Sequence, residues 1–330
     1  MKIDFLPRDI DSYAFDSNCA VVDDPQGNLH ILARHVAPCT VNLSKPVSSI
    51  LHHTVDPTIV GNAVPSYVRS KAVLRCDNRT PLLYHYEDPR ITPKPGGGYV
   101  MAVCSWGGQY FDDGVNFHTA GRQIIYTLSP DFKVIGEEHP VYGYNGVHHF
   151  ANLVHEKNWL PFFHDDKLYL TYRVTPHRVF RVVDEYETEE YVTEGVSDWL
   201  YGQPAGGTAP VPFDSDTSLS LFHSFTEEGV IRTYHVGAYL MENRPPFRIV
   251  RYTKKPLITA NKDMTNSQEF HKQSQYFLGS TAPSSHKHHH AVIYPCGKVR
   301  RHDNWLVGCG INDITAGLLT LTTKEIEDAL

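Results

Sequence analysis

The segment Tyr86-Glu87-Asp88-Pro89-Arg90-Ile91 places three charged side chains directly before an apolar run. Proline disfavours the helical region for the residue before it, so Pro89 predicts an extended backbone at Asp88. A run of proline, lysine and glycine follows at residues 93–98 and predicts a turn, and a second apolar run spans residues 99–103. The segment therefore predicts a β-hairpin whose first strand begins at a charged motif.

The same unit of polar motif, strand, turn and strand occurs five times along the chain. An antiparallel hairpin places the start of its first strand beside the end of its second, so each copy is expected to bring two polar positions to one edge. The predicted pairs are Asn18 with Arg34, Asp88 with Ser105, Asn158 with Arg173, Thr208 with His223, and Cys296 with Asp313. Radial repetition of such hairpins predicts an all-β fold, a five-bladed β-propeller in which the same edge of every blade meets a common axis.

The whole chain, residues 1–330, is predicted to form this single domain. Five blades in 330 residues average 66 residues each, which exceeds the roughly 40 to 50 residues of compact propeller repeats. We expect the extra length in long loops between blades, at residues 44–70, 184–204 and 258–288. A threonine before acidic residues predicts a short C-terminal helix at residues 323–327.

Composition excludes several classes of protein. A net charge of −7 argues against a nucleic-acid partner, which would need a basic stripe. The N-terminal residues lack the apolar core of a signal peptide, and no apolar run approaches the ~20 residues of a membrane span. We therefore expect a soluble, cytoplasmic protein without membrane contact, whose oligomeric state, including a homo-oligomer, stays open.

Cysteine and histidine patterns do not predict a metal site or a disulfide framework. The six cysteines have irregular spacing and are interpreted as reduced core residues. The histidine-rich run at residues 286–290 cannot direct all its side chains to one ion in a strand, because alternate side chains point apart. It is interpreted as a basic loop.

The predicted common edge gathers the side chain types that a sugar site requires. Hydroxyl groups need paired donors and acceptors, sugar rings pack on aromatic faces, and cleavage of a glycosidic bond needs a positioned acid. Asp88 is the candidate acid, and Trp106 fits packing between blades as well as it fits stacking on a sugar. The other candidates are Asn18, Arg34, Tyr86, Glu87, Arg90, Lys157, Asn158, Arg173, Thr208, His223, Tyr234 and Asp313.

The order of motifs resembles a known family. The motifs are EDPRI at residues 87–91, EKNWLPF at 156–162, GGTAPV at 206–211, YHVGAYL at 234–240 and YPCG at 294–297. This order resembles glycoside hydrolase family 130 across nearly the whole chain. The resemblance implies a five-bladed propeller that acts on β-mannosides, by phosphorolysis in most members and by hydrolysis in some.

The resemblance also implies roles for individual residues. Asp88 matches the catalytic acid, which in the phosphorylases delivers its proton through a sugar hydroxyl. Asn18, Arg34 and Asp313 match residues that hold the sugar whose bond is cleaved. No cofactor is implied, and inorganic phosphate is a co-substrate under phosphorolysis.

A phosphate-binding cluster is the part of the resemblance that is incomplete. The matching residues are Lys157, Asn158, Arg173 and His223, and guanidinium groups suit phosphate oxygens. The family phosphorylases carry a further lysine in the fourth blade, and residues 209–213 contain none. Hydrolysis would instead need a second carboxylate as base, for which Glu87 and Glu156 are the nearest candidates.

Three alternatives stay open from the sequence. Related propellers transfer mannose to a growing glycan, so a glycosyltransferase is one alternative. A propeller that binds carbohydrate without catalysis is another. The arabinan-cleaving five-bladed hydrolases carry a catalytic aspartate where this chain has Asn18, with Asp16 on the same face of the strand.

Overall fold

The computed structural model shows a chain built mostly of β-strands. The described residues are 2–5, 15–38, 46–55, 67–74, 85–106, 111–112, 117–118, 121–135, 139–140, 157–183, 188–229, 231–261, 291–312 and 315–330. Five antiparallel sheets form a five-bladed β-propeller. The predicted fold class is confirmed.

Strand β1 (Lys2–Phe5) belongs to blade 5. The strands of blades 1 and 2 lie among the next ten strands of the chain. Blade 1 consists of β2 (Phe15–Asp23), β3 (Leu29–Pro38), β4 (Pro46–Val55) and β5 (Tyr67–Leu74). Blade 2 consists of β6 (His85–Pro93), β7 (Tyr99–Trp106), β10 (Gly121–Leu128) and β11 (His139–Pro140). Between β7 and β10, the strands β8 (Phe111–Asp112) and β9 (Phe117–His118) form a separate two-stranded sheet.

The second half of the chain forms the other three blades in order. Blade 3 consists of β12 (Leu160–His164), β13 (Lys167–Arg173), β14 (His177–Val182) and β15 (Thr188–Thr193). Blade 4 consists of β16 (Ala205–Gly206), β17 (Val211–Pro212), β18 (Thr217–Glu228), β19 (Ile231–Glu242), β20 (Ile249–Tyr252) and β21 (Ile258–Thr259). Blade 5 consists of β22 (Ile293–Arg301), β23 (Asn304–Ile311), β24 (Thr315–Thr322) and, as its outermost strand, β1.

The hydrophobic core lies between the blades. Strand β2 carries the uninterrupted apolar run Ala20-Val21-Val22, in which neighbouring side chains point to opposite faces. Val21 packs with residues of blade 5, whereas Ala20 and Val22 pack with residues of blade 2. An inner strand buried on both faces reads as a continuous apolar run rather than an alternating one, as this part of β2 does.

The C-terminal helix is confirmed and is longer than predicted. It is α1 (Thr323–Ala329), and its N-cap is Thr322. The Thr322 hydroxyl accepts from the Glu325 backbone N–H at 3.1 Å, and the Glu325 carboxylate accepts from the Thr322 backbone N–H at 2.7 Å. This reciprocal pair is a capping box.

The prediction of loops at residues 44–70 and 184–204 is wrong in part. Strand β4 and the start of β5 lie in the first segment, and β15 lies in the second. The serines and histidines of β4 favoured a loop, but Ser48 and His53 are buried. Blade 1 supplies polar partners for this strand, since His30 Nδ1 lies 2.9 Å from His52 Nε2, so a polar sequence can form a buried strand. Residues 262–288 of the third predicted loop lie outside the described residues.

Three of the predicted strand pairings are also shifted. In blade 2, Ser105 pairs with Tyr86 rather than with Asp88. In blade 4, His223 pairs with Ala205, and the Thr208 backbone N–H donates to the Leu221 carbonyl. In blade 5, Pro295 pairs with Cys309, so the end of β23 lies nearer Ile293 than Cys296. The predicted partner of Cys296, Asp313, lies outside the described residues. In blade 5 the pairing also shifts by one residue between Pro295 and Gly297, which is a β-bulge.

Candidate functional site

Three polar residues at the start of inner strands share an uncommon backbone conformation. Asn18, Asp88 and Asn158 have positive φ angles of 43°, 53° and 68°. The extended backbone predicted for Asp88 is therefore wrong, because the β-bulge at this residue gives it a left-handed conformation. Asparagine and aspartate are the residues other than glycine that tolerate this region best. In β2 the pairing shifts between Ser17 and Ala20, and in β6 between Glu87 and Arg90, so Asn18 and Asp88 each occupy a β-bulge. A bulge changes the direction of its side chain, and here it turns these polar groups out of the blade packing.

The bulges of blades 1 and 2 bring Asn18 and Asp88 into direct contact. The Asn18 Nδ2 donates to the Asp88 Oδ1 at 2.7 Å, although the residues are 70 positions apart. Asn18 and Asp88 meet because neighbouring blades present the same edge to a common axis. The structure thus brings together two of the predicted site residues.

Asp88 lies in a strongly cationic environment. Burial opposes ionisation and would raise the pKa of Asp88, but the charges of Arg90 and Arg34, the hydrogen bond from Asn18 and the charge of Lys157 outweigh it and lower the pKa. Asp88 is therefore a carboxylate at neutral pH in the absence of a ligand.

Arg34 and Glu87 form an ion pair beside Asp88. The Arg34 Nη2 lies 2.5 Å from the Glu87 Oε1, and both side chains are about one-fifth exposed, at 21% and 22%. The pair joins β3 of blade 1 to β6 of blade 2. One carboxylate oxygen of Glu87 is thus held by the Arg34 guanidinium.

The Arg90 side chain holds the backbone of the Asp88 bulge. Its side chain is fully buried, and its Nη1 donates to the carbonyl oxygen of Asp88 at 2.9 Å. Its guanidinium carbon lies 5.2 Å from the centre of the Tyr294 ring. Burial would lower the pKa of Arg90, but Cys296, Tyr294 and Asp88 reverse this and raise it. Arg90 is thus a permanent buried cation that holds the bulge, a position that does not favour the predicted direct contact with a sugar.

Blades 3, 4 and 5 contribute Asn158, His223 and Tyr294. The Tyr294 hydroxyl donates to the Asn158 Oδ1, and the Tyr294 ring centre lies 4.4 Å from that of His223. Burial, followed by the charges of Arg90 and Lys157, lowers the pKa of His223 to about 3. His223 is therefore a neutral imidazole at physiological pH, with one nitrogen able to accept and one able to donate.

The two predicted phosphate-binding cations differ in position. Lys157 is exposed, and its charge acts on both Asp88 and His223. Arg173 is exposed at the end of β13, with its guanidinium carbon 5.8 Å from the centre of the Tyr172 ring. The three cations that act most strongly on Asp88 are Arg90, Arg34 and Lys157. The structure thus places Lys157, rather than Arg173, in the electrostatic environment of Asp88.

Thr208 joins blade 4 to a buried lysine of blade 5. Its side chain is fully buried, and its Oγ1 accepts from the Leu221 backbone N–H at 2.9 Å and from the Lys298 Nζ at 3.1 Å. The Lys298 Nζ also donates to the Ala209 carbonyl at 2.5 Å. These contacts give Thr208 a part in holding two blades together and do not favour the predicted contact with a sugar.

The predicted aromatic residues divide between the core and the site. Tyr86 is 9% exposed and belongs to the core cluster of blades 1, 2 and 5. Trp159 is 1% exposed and packs between blades 2 and 3. Tyr234 is stacked with His223, with ring centres 6.1 Å apart. Tyr234 is thus connected to the candidate site through His223, and Tyr86 shares its core cluster with Tyr294.

Sequence reasoning missed two residues. Tyr294 was present in the YPCG motif, but nothing in the motif indicates that its hydroxyl reaches Asn158. Lys298 is a lone lysine in an apolar strand, and that isolation was the only available signal. The predicted residues Glu156 and Asp313 and the side chain of Trp106 lie outside the described residues.

The described part of the chain contains neither a cluster of metal ligands nor a membrane-spanning helix. There, no group of three or more His, Cys, Asp or Glu side chains is arranged to hold a metal ion. Likewise, no helix among the described residues is long and apolar enough to cross a bilayer. The four described cysteines, Cys19, Cys104, Cys296 and Cys309, are free and buried.

Known structures with the same fold include enzymes that act on mannosides. No model of a known protein family matches the sequence, and no curated protein does. One similar structure comes from the GH130 family of mannoside phosphorylases, which contains glycoside hydrolases that target β-1,2 mannosidic linkages in Candida mannan. It has 16% identity and a TM-score of 0.65, over 94% of this chain and 85% of that one.

Two further structures cover nearly all of the chain. One is the β-1,2-mannobiose phosphorylase from Listeria innocua in complex with β-1,2-mannobiose, with 16% identity and a TM-score of 0.64 over 100% of this chain and 99% of that chain. The other is a GDP-Man-dependent mannosyltransferase from Leishmania mexicana, with 12% identity and a TM-score of 0.54 over 98% and 90%. At these identities the likeness establishes the fold, which is that of glycoside phosphorylases and hydrolases and is shared with a mannosyltransferase.

Proposed function

We propose that this protein is a carbohydrate-active enzyme that cleaves a β-mannoside or a related glycoside by phosphorolysis or hydrolysis, with Asp88 as the proton donor. The observation that carries the proposal is the placement of Asp88. It occupies a bulge of an inner strand, accepts a hydrogen bond from Asn18 of the neighbouring blade, and faces the charges of three cations. A carboxyl group held in this way can transfer a proton at one defined position.

The ionised state of Asp88 sets a condition on this mechanism. Because its pKa is lowered, Asp88 must gain a proton as substrates bind before it can donate one. A phosphate anion beside Lys157 would offset part of the positive field and so raise the pKa of Asp88. Phosphate binding and protonation of the acid are then coupled, which is an argument for phosphorolysis.

The protein groups around Asp88 have complementary roles in this proposal. Asn18 orients the carboxylate, and its hydrogen bond is strongest when Asp88 is ionised, so it stabilises the state reached after proton transfer. The neutral imidazole of His223 offers a hydrogen bond to a sugar hydroxyl or to phosphate without adding charge. The proton travels from Asp88 to the glycosidic oxygen, directly or through a sugar hydroxyl.

Hydrolysis is the alternative reaction at the same site. It would need a base to activate water. Among the described residues, Glu87 is a carboxylate near Asp88, and Arg34 binds one of its oxygens at 2.5 Å. Glu87 would therefore act as the base while it remains in contact with Arg34.

A mannosyltransferase is the second candidate function. It is favoured by the shared fold with the GDP-Man-dependent enzyme from Leishmania mexicana. This function differs from the first in requiring a nucleotide sugar as donor and a glycan as acceptor.

Product analysis distinguishes these functions. The protein is incubated with a panel of β-mannobioses of different linkage, with and without inorganic phosphate, and separately with GDP-mannose and a mannose oligosaccharide. Mannose 1-phosphate indicates phosphorolysis, free mannose without phosphate indicates hydrolysis, and release of GDP only with acceptor indicates transfer. The Asp88→Asn variant is the control, and equal turnover by that variant would refute the assignment of Asp88.

A further inference from the structure

The β18–β19 hairpin of blade 4 extends past the candidate site. Each of its strands has 12 residues, compared with 5 in β12 and 7 in β13 of blade 3. Its strands stay paired from His223 with Val236 through to Glu228 with Ile231. Since His223 belongs to the candidate site, the rest of the hairpin continues outward from it.

One face of the extension carries a continuous row of rings. Side chains two residues apart lie on the same face of a strand, so Phe225 follows His223 on that face, and Tyr234 is the direct partner of Phe225. The ring centres of His223 and Tyr234 are 6.1 Å apart and those of Tyr234 and Phe225 are 5.5 Å apart. The Arg232 guanidinium carbon lies 4.2 Å from the centre of the Phe225 ring. We name His223, Tyr234, Phe225 and Arg232 the ring row.

The opposite face of the extension is supported by the segment between β15 and β16, which contains Trp199 and Tyr201. The Trp199 Nε1 donates to the Ser224 Oγ at 2.8 Å, and the Ser224 hydroxyl donates to the Tyr201 carbonyl at 2.6 Å. Thr226 and His235 are joined across the strands at 2.9 Å. These bonds hold the extension in place, so the ring row is displayed on a fixed support rather than on a free loop.

Exposure increases along the row from the candidate site outward. His223 is 6% exposed and Phe225 is 37% exposed. The Arg232 side chain is 36% exposed and is bound to Glu227 Oε1 at 2.5 Å. Its charge is thus compensated, and the outer end of the row presents an aromatic face with a neutral ion pair. This combination suits an uncharged ligand that has both apolar ring faces and hydroxyl groups.

We propose that the ring row binds the further sugar residues of a neutral oligosaccharide whose end occupies the candidate site. The first added sugar packs on Tyr234 and the next on Phe225, while Arg232 and Glu227 donate to and accept from its hydroxyl groups. The inference rests on the proposed function and deepens it, since the substrate becomes a chain of at least three sugars rather than a disaccharide. Phe225 is the residue that determines the preference for length.

Binding measurements on a length series test this inference. Calorimetry is carried out with mannose oligosaccharides of two to six β-linked units, using the full-length protein with Asp88→Asn so that no substrate is consumed. Affinity is expected to increase with length beyond the disaccharide. Adding Phe225→Ala should weaken the binding of the longer chains roughly 3- to 10-fold, the range of one aromatic contact, and leave the disaccharide unchanged. Phe225→Trp should restore the dependence on length.

Val250→Ala is the matched control, because Val250 is an exposed apolar residue of the same blade, 47% exposed on β20. It should leave the whole series unchanged, and thermal unfolding should show that all variants are folded. Affinity that is independent of length while the disaccharide is bound and cleaved overturns the ring row and leaves the proposed function intact. Failure to bind or cleave any β-mannoside overturns both. Loss of GDP binding in Phe225→Ala, with oligosaccharide binding unchanged, would also overturn the inference and assign the row to a nucleotide.

Discussion

Gly310→Ala tests the geometry of Asp88 from outside the site. Gly310 lies on β23 of blade 5, and a Cβ added there would overlap the Asn18 Oδ1 and lie 2.7 Å from the Asn18 Cγ. The side chain of Asn18 would have to leave its position, and its hydrogen bond to Asp88 would be lost. One added methyl group would thereby disconnect the proposed acid from its support.

The size of the effect follows from that hydrogen bond. A hydrogen bond to a charged group contributes about 1.5 to 3 kcal/mol. Because it is strongest to ionised Asp88, its loss raises the barrier to proton transfer by a similar amount, which corresponds to a roughly 10- to 150-fold decrease in kcat. Overpacking is expected to reduce the free energy of unfolding by about 1 to 3 kcal/mol as well.

The assay is turnover of the substrate found by product analysis, measured together with thermal unfolding. Gly317→Ala is the control on the neighbouring strand β24, since its added Cβ would meet the ends of Ile311 and Ile3 at 3.0 and 3.4 Å. This variant should lose stability without a comparable loss of turnover. Adding Asn18→Gly to Gly310→Ala removes the overlap, so stability should recover while turnover stays low. A folded Gly310→Ala variant with full turnover would refute the reasoning.

Four further predictions follow from the charges of the site and the core. Asp88→Asn should reduce turnover by about 10²-fold or more and leave sugar affinity within a few fold; equal losses of both would argue for a structural role. Lys157→Ala should raise the KM for phosphate more than the KM for the sugar, and the opposite order would remove Lys157 from the phosphate site. Burial lowers the pKa of Lys298 well below its ordinary value of 10.5, so at pH values between the lowered and the ordinary pKa the unfolded chain holds a proton that the folded chain has lost; the urea midpoint should therefore rise as the pH rises toward 10.5, and Lys298→Met should abolish that rise. Burial lowers the pKa of His223 to about 3 and that of His177 to about 4, so the free energy of unfolding should fall as the pH falls from about 6.5 toward 4. In His177→Leu the free energy of unfolding should depend less steeply on pH. A free energy of unfolding that is independent of pH in the parent protein would contradict these pKa values.

The strands that build each inner hairpin were recognisable in the sequence. Their apolar runs are bounded by turn residues, and turns between apolar runs are local features. Strand β4 was not recognised, because Ser48 and His53 look like loop residues until the partners inside blade 1 are known. Burial of a polar strand depends on partners distant in sequence.

Some features of the candidate site could be predicted from the sequence and others could not. The positions of Asn18, Asp88 and Asn158 at the starts of inner strands could be predicted, since each stands as a short polar residue before an apolar run. The burial of Arg90 and Thr208 beneath or beside the site could not. Whether a side chain on an inner strand faces the axis or the next blade depends on the bulges and on register, and a shift of one residue reverses the direction.

By itself, the sequence determined the number of blades and the three polar residues that precede the apolar parts of inner strands. The left-handed backbone of these residues was decided by the tertiary structure. The tertiary structure alone decided that Asn18 reaches Asp88, that Tyr294 reaches Asn158, and that Lys298 is enclosed between two blades. The physical reason is range. Strand and turn preferences act over a few residues, whereas these contacts join parts of the chain 70 to 136 positions apart and exist only when the ring of blades is assembled.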